Sequence, residues 1–122
     1  MSDAVAGPIF HLAVAAEWER ARASGAYDRS TIDTSLAEEG FIHCSFPHQV
    51  QATADRYYRG RDDIVLLAVR PDRLGVDVVV EEASSGERFP HVYGPIPVDA
   101  VTSATPVPLG ADGRLDLGSL SG

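Results

Sequence analysis

The stretch Ile9-Phe10-His11-Leu12-Ala13-Val14, followed without a break by residues 15–24 and then Gly25, decides how the chain is read. The first six residues are apolar, with β-branched and aromatic members, except for one histidine, which predicts a buried strand. In the next ten, Val14, Trp18 and Ala21 fall on one helical face and Gly25 is placed to stop the helix. A strand feeding directly into a helix is therefore the opening unit.

The same order repeats further on. Gly40 precedes a second short strand, Phe41-Ile42-His43-Cys44-Ser45, and Ser45 or Phe46 then opens a helix with Pro47 in its first turn. Val50, Ala54 and Tyr57 give that helix an apolar stripe, and Gly60 is expected to end it. Between the two units, residues 26–39 lack a period and are rich in Ser, Thr and Asp, which predicts an exposed surface loop with a turn of helix near Ser35. Residues 64–69 form the most strand-like run in the chain, closed by the Pro71-Asp72-Arg73-Leu74-Gly75 turn. Residues 76–82 and 88–93 flank a Ser-Ser-Gly turn and read as a hairpin. Pro95 and Pro97 then force an extended path, and residues 100–109 return as an edge strand that tolerates prolines. Two strand-helix units followed by a run of strands predict a single α+β domain over residues 9–109, with mixed or antiparallel pairing, two main helices and a split β-sheet. Residues 1–8 and the Gly- and Ser-rich stretch 110–122 are expected to be flexible.

Composition narrows the function. At 122 residues and 44% hydrophobic content the chain can bury one core. Eighteen acidic residues against ten basic ones, all arginine, give a net charge of -8, which opposes general binding to a phosphate backbone. The opening Met1-Ser2-Asp3 lacks the basic and apolar regions of a leader, and no run reaches the roughly 18–20 apolar residues of a membrane span. A cytoplasmic protein without a membrane partner is expected. Cys44 is the single cysteine, so no internal disulfide can form and multi-thiolate zinc sites are excluded.

Three of the four histidines interrupt apolar strands, where a buried imidazole needs partners for its ring nitrogens. Side chains alternate across a strand, so His43 shares a face with Phe41 and Ser45 while Cys44 points the other way and packs as a small hydrophobe. The same rule joins His91 to Phe89 and Tyr93, a combination suited to a sugar or a flat ring. Each histidine can equally be a hydrogen-bonded brace, and His48, in the first turn after Pro47, reads as solvated. No His-x-x-x-His pair supports a metal site, and none is expected. Arg56, Arg59 and Arg61 surround the end of the second helix, where they either complement its negative end or grip a phosphate. Glu81, Glu82 and Glu87 lie around the hairpin turn and can supply a general base, although acidic hairpin tips are ordinarily solvated. His43, His91 and Tyr93 are thus the candidate catalytic residues, and His11, Ser45 and Arg61 the candidate ligand contacts.

Across residues 9–101, the stretches Ile9-Phe10-His11 followed by Trp18, Glu39-Gly40-Phe41-Ile42-His43-Cys44-Ser45, Gly60-Arg61-Asp62-Asp63, Arg73-Leu74-Gly75 and Phe89-Pro90-His91-Val92-Tyr93-Gly94-Pro95-Ile96-Pro97 closely resemble the bacterial domain of unknown function 952. That family in turn resembles a compact ADP-ribosyltransferase-like fold, nearest to the NAD-using RNA 2′-phosphotransferases. The resemblance implies that NAD or a related nucleotide is the ligand, with NAD as substrate and a transferase activity on it. It implies that His11 binds a ribose, that His43 lies near the nicotinamide ribose or phosphates, and that His91 with Tyr93 occupies the third motif position. His11 is followed here by Leu12 and Ala13 where such enzymes have Gly and Thr, and His91 stands where many have glutamate. A non-enzymatic small-molecule binding or accessory protein on the same fold is the alternative.

Overall fold

A computed structural model describes residues 7–31, 34–83 and 85–117. Strand β1 (Ile9–Val14) runs into helix α1 (Ala15–Ser24), and β2 (Ala26–Tyr27), β3 (Arg29–Thr31) and β4 (Thr34–Ser35) lead to the short helix α2 (Leu36–Glu39). Strand β5 (Ile42–His43) precedes a 3-10 turn (Pro47–Gln49) and helix α3 (Val50–Tyr57). The chain finishes with β6 (Ile64–Val69), β7 (Val78–Glu82), β8 (Arg88–Val92), β9 (Ile96–Pro97) and β10 (Val101–Pro106).

Two three-stranded sheets carry the architecture, in the orders β1-β6-β10 and β5-β8-β7. Every pairing among the described strands is antiparallel, so the mixed pairing allowed by the sequence is not used there. The central strand β6 is buried on both faces because its continuous Ile-Val-Leu-Leu-Ala-Val run leaves no polar side to turn outward. On one face Ile9, Ala13 and Leu67 pack with Trp18 and Ala21 of α1, with Tyr27, and with Ile42 and Val92 of the second sheet. On the other face Leu12, Ile64 and Leu66 pack with Val50 and Ala54 of α3 and with Leu115 and Leu117. Each large side chain removed from water in this way contributes about 1.5–3 kcal/mol. The two sheets are stitched together where Phe10 and Ser45 exchange backbone hydrogen bonds at 2.8 Å.

Several local expectations change. Residues 26–39 are not simply an exposed loop: Tyr27 and Ser30 are fully enclosed, and β2 pairs with β9. A capping box closes the start of α2, with Ser35 Oγ accepting from the Glu38 amide and Glu38 Oε1 accepting from the Ser35 amide. The apolar stripe of α3 runs through Val50, Thr53 and Ala54 to Tyr58 just past its end, while Tyr57 is exposed. The helix stops before Gly60, whose amide bonds to the Gly113 carbonyl. In the stretch expected to be a flexible tail, Leu115 pairs with Leu109 and enters the core with Leu117. Among the described residues no helix is long and apolar enough to cross a membrane.

The exit of the β7–β8 hairpin depends on a close approach. A Cβ built on buried Gly94 would meet Val76 Cγ1 at 2.6 Å and Val76 Cβ at 3.1 Å. Valine is stiff at χ1 and cannot swing its whole isopropyl group aside. Gly94→Ala is expected to destabilise the protein by about 1–3 kcal/mol in urea unfolding. A change below about 0.5 kcal/mol would show that the hairpin exit yields freely.

Candidate functional site

The site is built on the outward face of the β5-β8-β7 sheet. Gly40, at φ 93°, ends α2 and turns the chain into β5 in a left-handed conformation that side-chain-bearing residues rarely adopt. Strand alternation then buries Ile42 and Cys44 and turns Phe41 and His43 to the other face, as the sequence predicts. His43 lies directly opposite His91 in the β5–β8 register, and Val79 lies opposite His91 on the other side. Counting two residues along β7 from Val79 brings Glu81 onto the same face.

These side chains form a chain of contacts. His91 Nδ1 lies 2.7 Å from Glu81 Oε1, and the Tyr93 hydroxyl donates to the same oxygen at 2.7 Å. His43 Nδ1 lies 3.3 Å from His91 Nε2. A carboxylate only accepts, so His91 donates through Nδ1; with His91 neutral, its Nε2 accepts and His43 Nδ1 donates. His43 Nε2 is left as a lone pair, buried and, among the described residues, without a hydrogen-bond partner. Phe41 stacks on the His91 ring with centroids 4.0 Å apart, which fixes the plane of the imidazole. Burial, reinforced by the neighbouring His91, lowers the His43 pKa to about 4, so this imidazole is neutral near pH 7. Hydrogen bonds from Tyr93 and then His91 hold the Glu81 carboxyl below its ordinary range, and Glu81 in turn raises the Tyr93 phenol.

His11 belongs to the layer behind. It is 3% exposed, and both ring nitrogens are engaged inside the protein. Its Nδ1–H donates to the His43 carbonyl at 2.7 Å, which leaves Nε2 to accept from the Tyr27 hydroxyl at 2.9 Å. Burial lowers its pKa to about 4 and pushes the Tyr27 phenol upward. The three histidines therefore stand in series: His11 holds the backbone of His43, and the side chain of His43 meets His91.

A cavity of about 430 Å³ opens beside this array. His43, His91 and Phe41 line it from the sheet, Glu39 from α2, Tyr57 and Tyr58 from the end of α3, and Ser30 and Ala83 complete the wall. Ser30 Oγ is also buried without a partner among the described residues. Burial raises the Tyr58 phenol to about 12, so it is neutral and able to donate. The volume lies within the range of small-molecule sites, roughly 300–1,000 Å³.

The other candidates sit elsewhere. Ser45 is buried against α3, its Oγ 3.2 Å from Thr53 Oγ1, and does not line the cavity. Arg61 donates through Nε and Nη2 to the two Asp63 oxygens, at 2.9 and 2.7 Å. Cys44 is buried with its thiol pKa raised by burial, which suits packing and not nucleophilic attack. His48 is exposed and stacks on Phe46. Among the described residues no three His, Cys, Asp or Glu side chains gather as metal ligands. Glu81 and Ser30, together with Glu39, Tyr57 and Tyr58 of the cavity wall, are site residues that sequence reading did not select. Glu81 carried a usable signal, since it alternates with Val79 onto the His91 face, whereas Ser30 carried none.

The chain is similar to known proteins over most of its length. The crystal structure of protein CC0527 from Caulobacter crescentus superposes with a TM-score of 0.83 at 41% identity, covering 93% of this chain and 97% of that one. The solution structure of the same protein gives a TM-score of 0.77 at 42% identity, over 92% of this chain and 94% of that one. No curated protein matches the chain. The family of proteins of unknown function DUF952 matches residues 12–104, a span that holds the whole of the Glu81–His91–His43 array and its cavity. With that match, and with 41% identity to a structure sharing its fold, the chain belongs to the DUF952 family.

Proposed function

We propose that the chain binds a ribose-bearing nucleotide of the NAD or ADP-ribose class in the cavity beside His43 and His91. The observation that carries this reading is the pair of buried polar atoms without partners, Ser30 Oγ and His43 Nε2, on residues lining an aromatic-walled cavity. A buried polar group lacking a partner costs about 1–3 kcal/mol, and a ligand bearing hydroxyl groups would satisfy both at once. Phe41, Tyr57 and Tyr58 supply flat apolar surface for a base or nicotinamide ring. Among the described residues no arginine lines the cavity, so the ring and ribose fit inside while the phosphates extend outward. The resemblance to ADP-ribosyltransferase-like enzymes supports the same ligand class and suggests ADP-ribosyl or phosphoryl transfer as the activity. A single buried thiol is compatible with the cytoplasm as the compartment.

Titrating NAD and ADP-ribose into isotopically labelled protein is expected to shift the His43 imidazole and Ser30 resonances. Affinity is expected to fall about tenfold in Ser30→Ala, the loss of roughly one hydrogen bond to a ligand. No perturbation up to millimolar ligand would sink the reading. Binding without turnover of NAD would identify a non-enzymatic binding protein.

A further inference from the structure

The cavity wall holds more than a binding surface. His43 Nε2 is the one polar ring atom of His43 not already engaged, so any polar contact that a ligand makes with this side chain falls there. Behind it the contacts run inward to outward in a single file: His43 Nδ1 to His91 Nε2 at 3.3 Å, His91 Nδ1 to Glu81 Oε1 at 2.7 Å, and Tyr93 Oη to the same carboxylate oxygen at 2.7 Å. Two imidazoles joined by one hydrogen bond and backed by a carboxylate have two proton arrangements. In the first, both rings are neutral and His43 Nε2 accepts. In the second, one added proton resides on His91 beside Glu81, the shared hydrogen bond reverses, and His43 Nε2 carries a hydrogen and donates.

We propose that Glu81, His91 and His43 form a proton relay ending at His43 Nε2, which takes a proton from a hydroxyl of the bound ligand and returns it. The hydroxyl O–H bond breaks and the Nε2–H bond forms, with the oxygen keeping its electron pair. His43 Nδ1–H breaks as His91 Nε2–H forms, so the positive charge moves to His91. Glu81 stays ionised throughout and faces that charge as an ion pair, while Tyr93 holds the carboxylate in place. Atoms and charge balance with no further reactant. His43 is the residue that touches the ligand; His91, Glu81 and Tyr93 act through it.

The surroundings favour this use. The titratable groups facing the pair are Glu81 from β7, Tyr93 from the end of β8, Glu39 from α2, and Tyr57 and Tyr58 from the end of α3. Among the described residues of the cavity wall there is no lysine or arginine to compete with the charge arriving on His91. Phe41, stacked at 4.0 Å on His91, keeps that ring in register with both of its partners.

The ligand named here rests on the nucleotide reading above, so the relay is tested without any ligand. Long-range proton–nitrogen correlation spectra of the nitrogen-15-labelled chain report which ring nitrogen of each histidine bears hydrogen. At mildly alkaline pH both His43 and His91 are expected to carry hydrogen on Nδ1. On acidification the hydrogen-bonded pair is expected to take up one proton, and in that transition His43 is expected to exchange its Nδ1–H for Nε2–H. Glu81→Gln should lower the midpoint of that coupled transition by about one pH unit or more, a tenfold loss of proton affinity. Tyr93→Phe should raise it by less, since Glu81 loses a competing donor. The proposal is overturned if His43 keeps one tautomer across the proton uptake of the pair, or if the midpoint does not move in Glu81→Gln. Failure of NAD to bind would leave these spectra unchanged, so the two readings fail separately.

Discussion

His11→Leu is expected to destabilise the protein by about 3 kcal/mol in urea unfolding near neutral pH. Leucine approximates the volume of the ring, so the loss comes from polar groups and not from a cavity. The Tyr27 hydroxyl, itself 2% exposed at the residue level, loses its acceptor, and the His43 carbonyl loses its side-chain donor. Tyr27→Phe should cost about 1–2 kcal/mol, because it leaves only His11 Nε2 without a partner. Because His11 holds the His43 backbone from behind, His11→Leu should also broaden the His43 resonances, whereas Tyr27→Phe should not. A loss below about 1 kcal/mol in His11→Leu would mean that the layer behind the cavity has water or slack that supplies new partners.

Acid supplies the second large effect. The folded-state pKa of His11 is lowered from 6.5 to about 4 by burial, and that of His43 likewise. A depressed histidine pKa means that the unfolded chain binds more protons than the folded one between those two values, so stability rises with pH in that window. Stability is complete above about pH 6.5, falls as pH drops towards about 4, and gains no further loss from these groups below it. For His11 alone the shift corresponds to about 3 kcal/mol. Carboxylates such as Asp55 and Asp63, held below their usual range by hydrogen bonds from Arg114 and Arg61, add to acid loss only at still lower pH. Urea midpoints measured across the window should therefore decline steeply below about pH 6.5. His11→Leu removes one of the two linked groups, so its deficit relative to the parent should shrink as pH approaches 4. Parallel pH profiles for the two proteins would show that His11 is not buried as a neutral ring.

The parts of the fold that were legible in the sequence are those with one-sided or unbroken patterns. Residues 9–14 and 64–69 are long apolar runs, and they are the paired strands β1 and β6 at the centre of the core. Alternation placed His43 on a face with Phe41 and, separately, His91 on a face with Tyr93; the structure pairs the two strands and sets the two imidazoles opposite one another. What failed was isolated burial. Tyr27 and Ser30 sit among polar neighbours; Tyr27 is internal where β2 pairs with residues 96–97, and Ser30 is internal in β3, which pairs with β4. Leu115 and Leu117 alternate correctly for a half-buried strand, yet glycines and serines on both sides hide so short a signal. His11 looked like a site residue for a sound reason, since an imidazole in an apolar strand needs partners. Those partners are a carbonyl 32 positions away and a phenol 16 positions away, and no spacing rule reveals either. Glu81 was passed over because hairpin tips are ordinarily solvated; what distinguishes it is the histidine on the adjacent strand.

The pairing of His43 with His91 also governs when the cavity can come into being. The two residues are 48 positions apart, whereas β7 and β8 face each other across a short hairpin turn. Closing a loop of that length costs roughly 3 kcal/mol of chain entropy before any contact offsets it, while a hairpin closes in microseconds. Glu81 and His91 can therefore meet early in folding, as a local pair. His43 joins them only when β5 is drawn in, and the nascent chain must wait for that long-range closure before it owns a binding site.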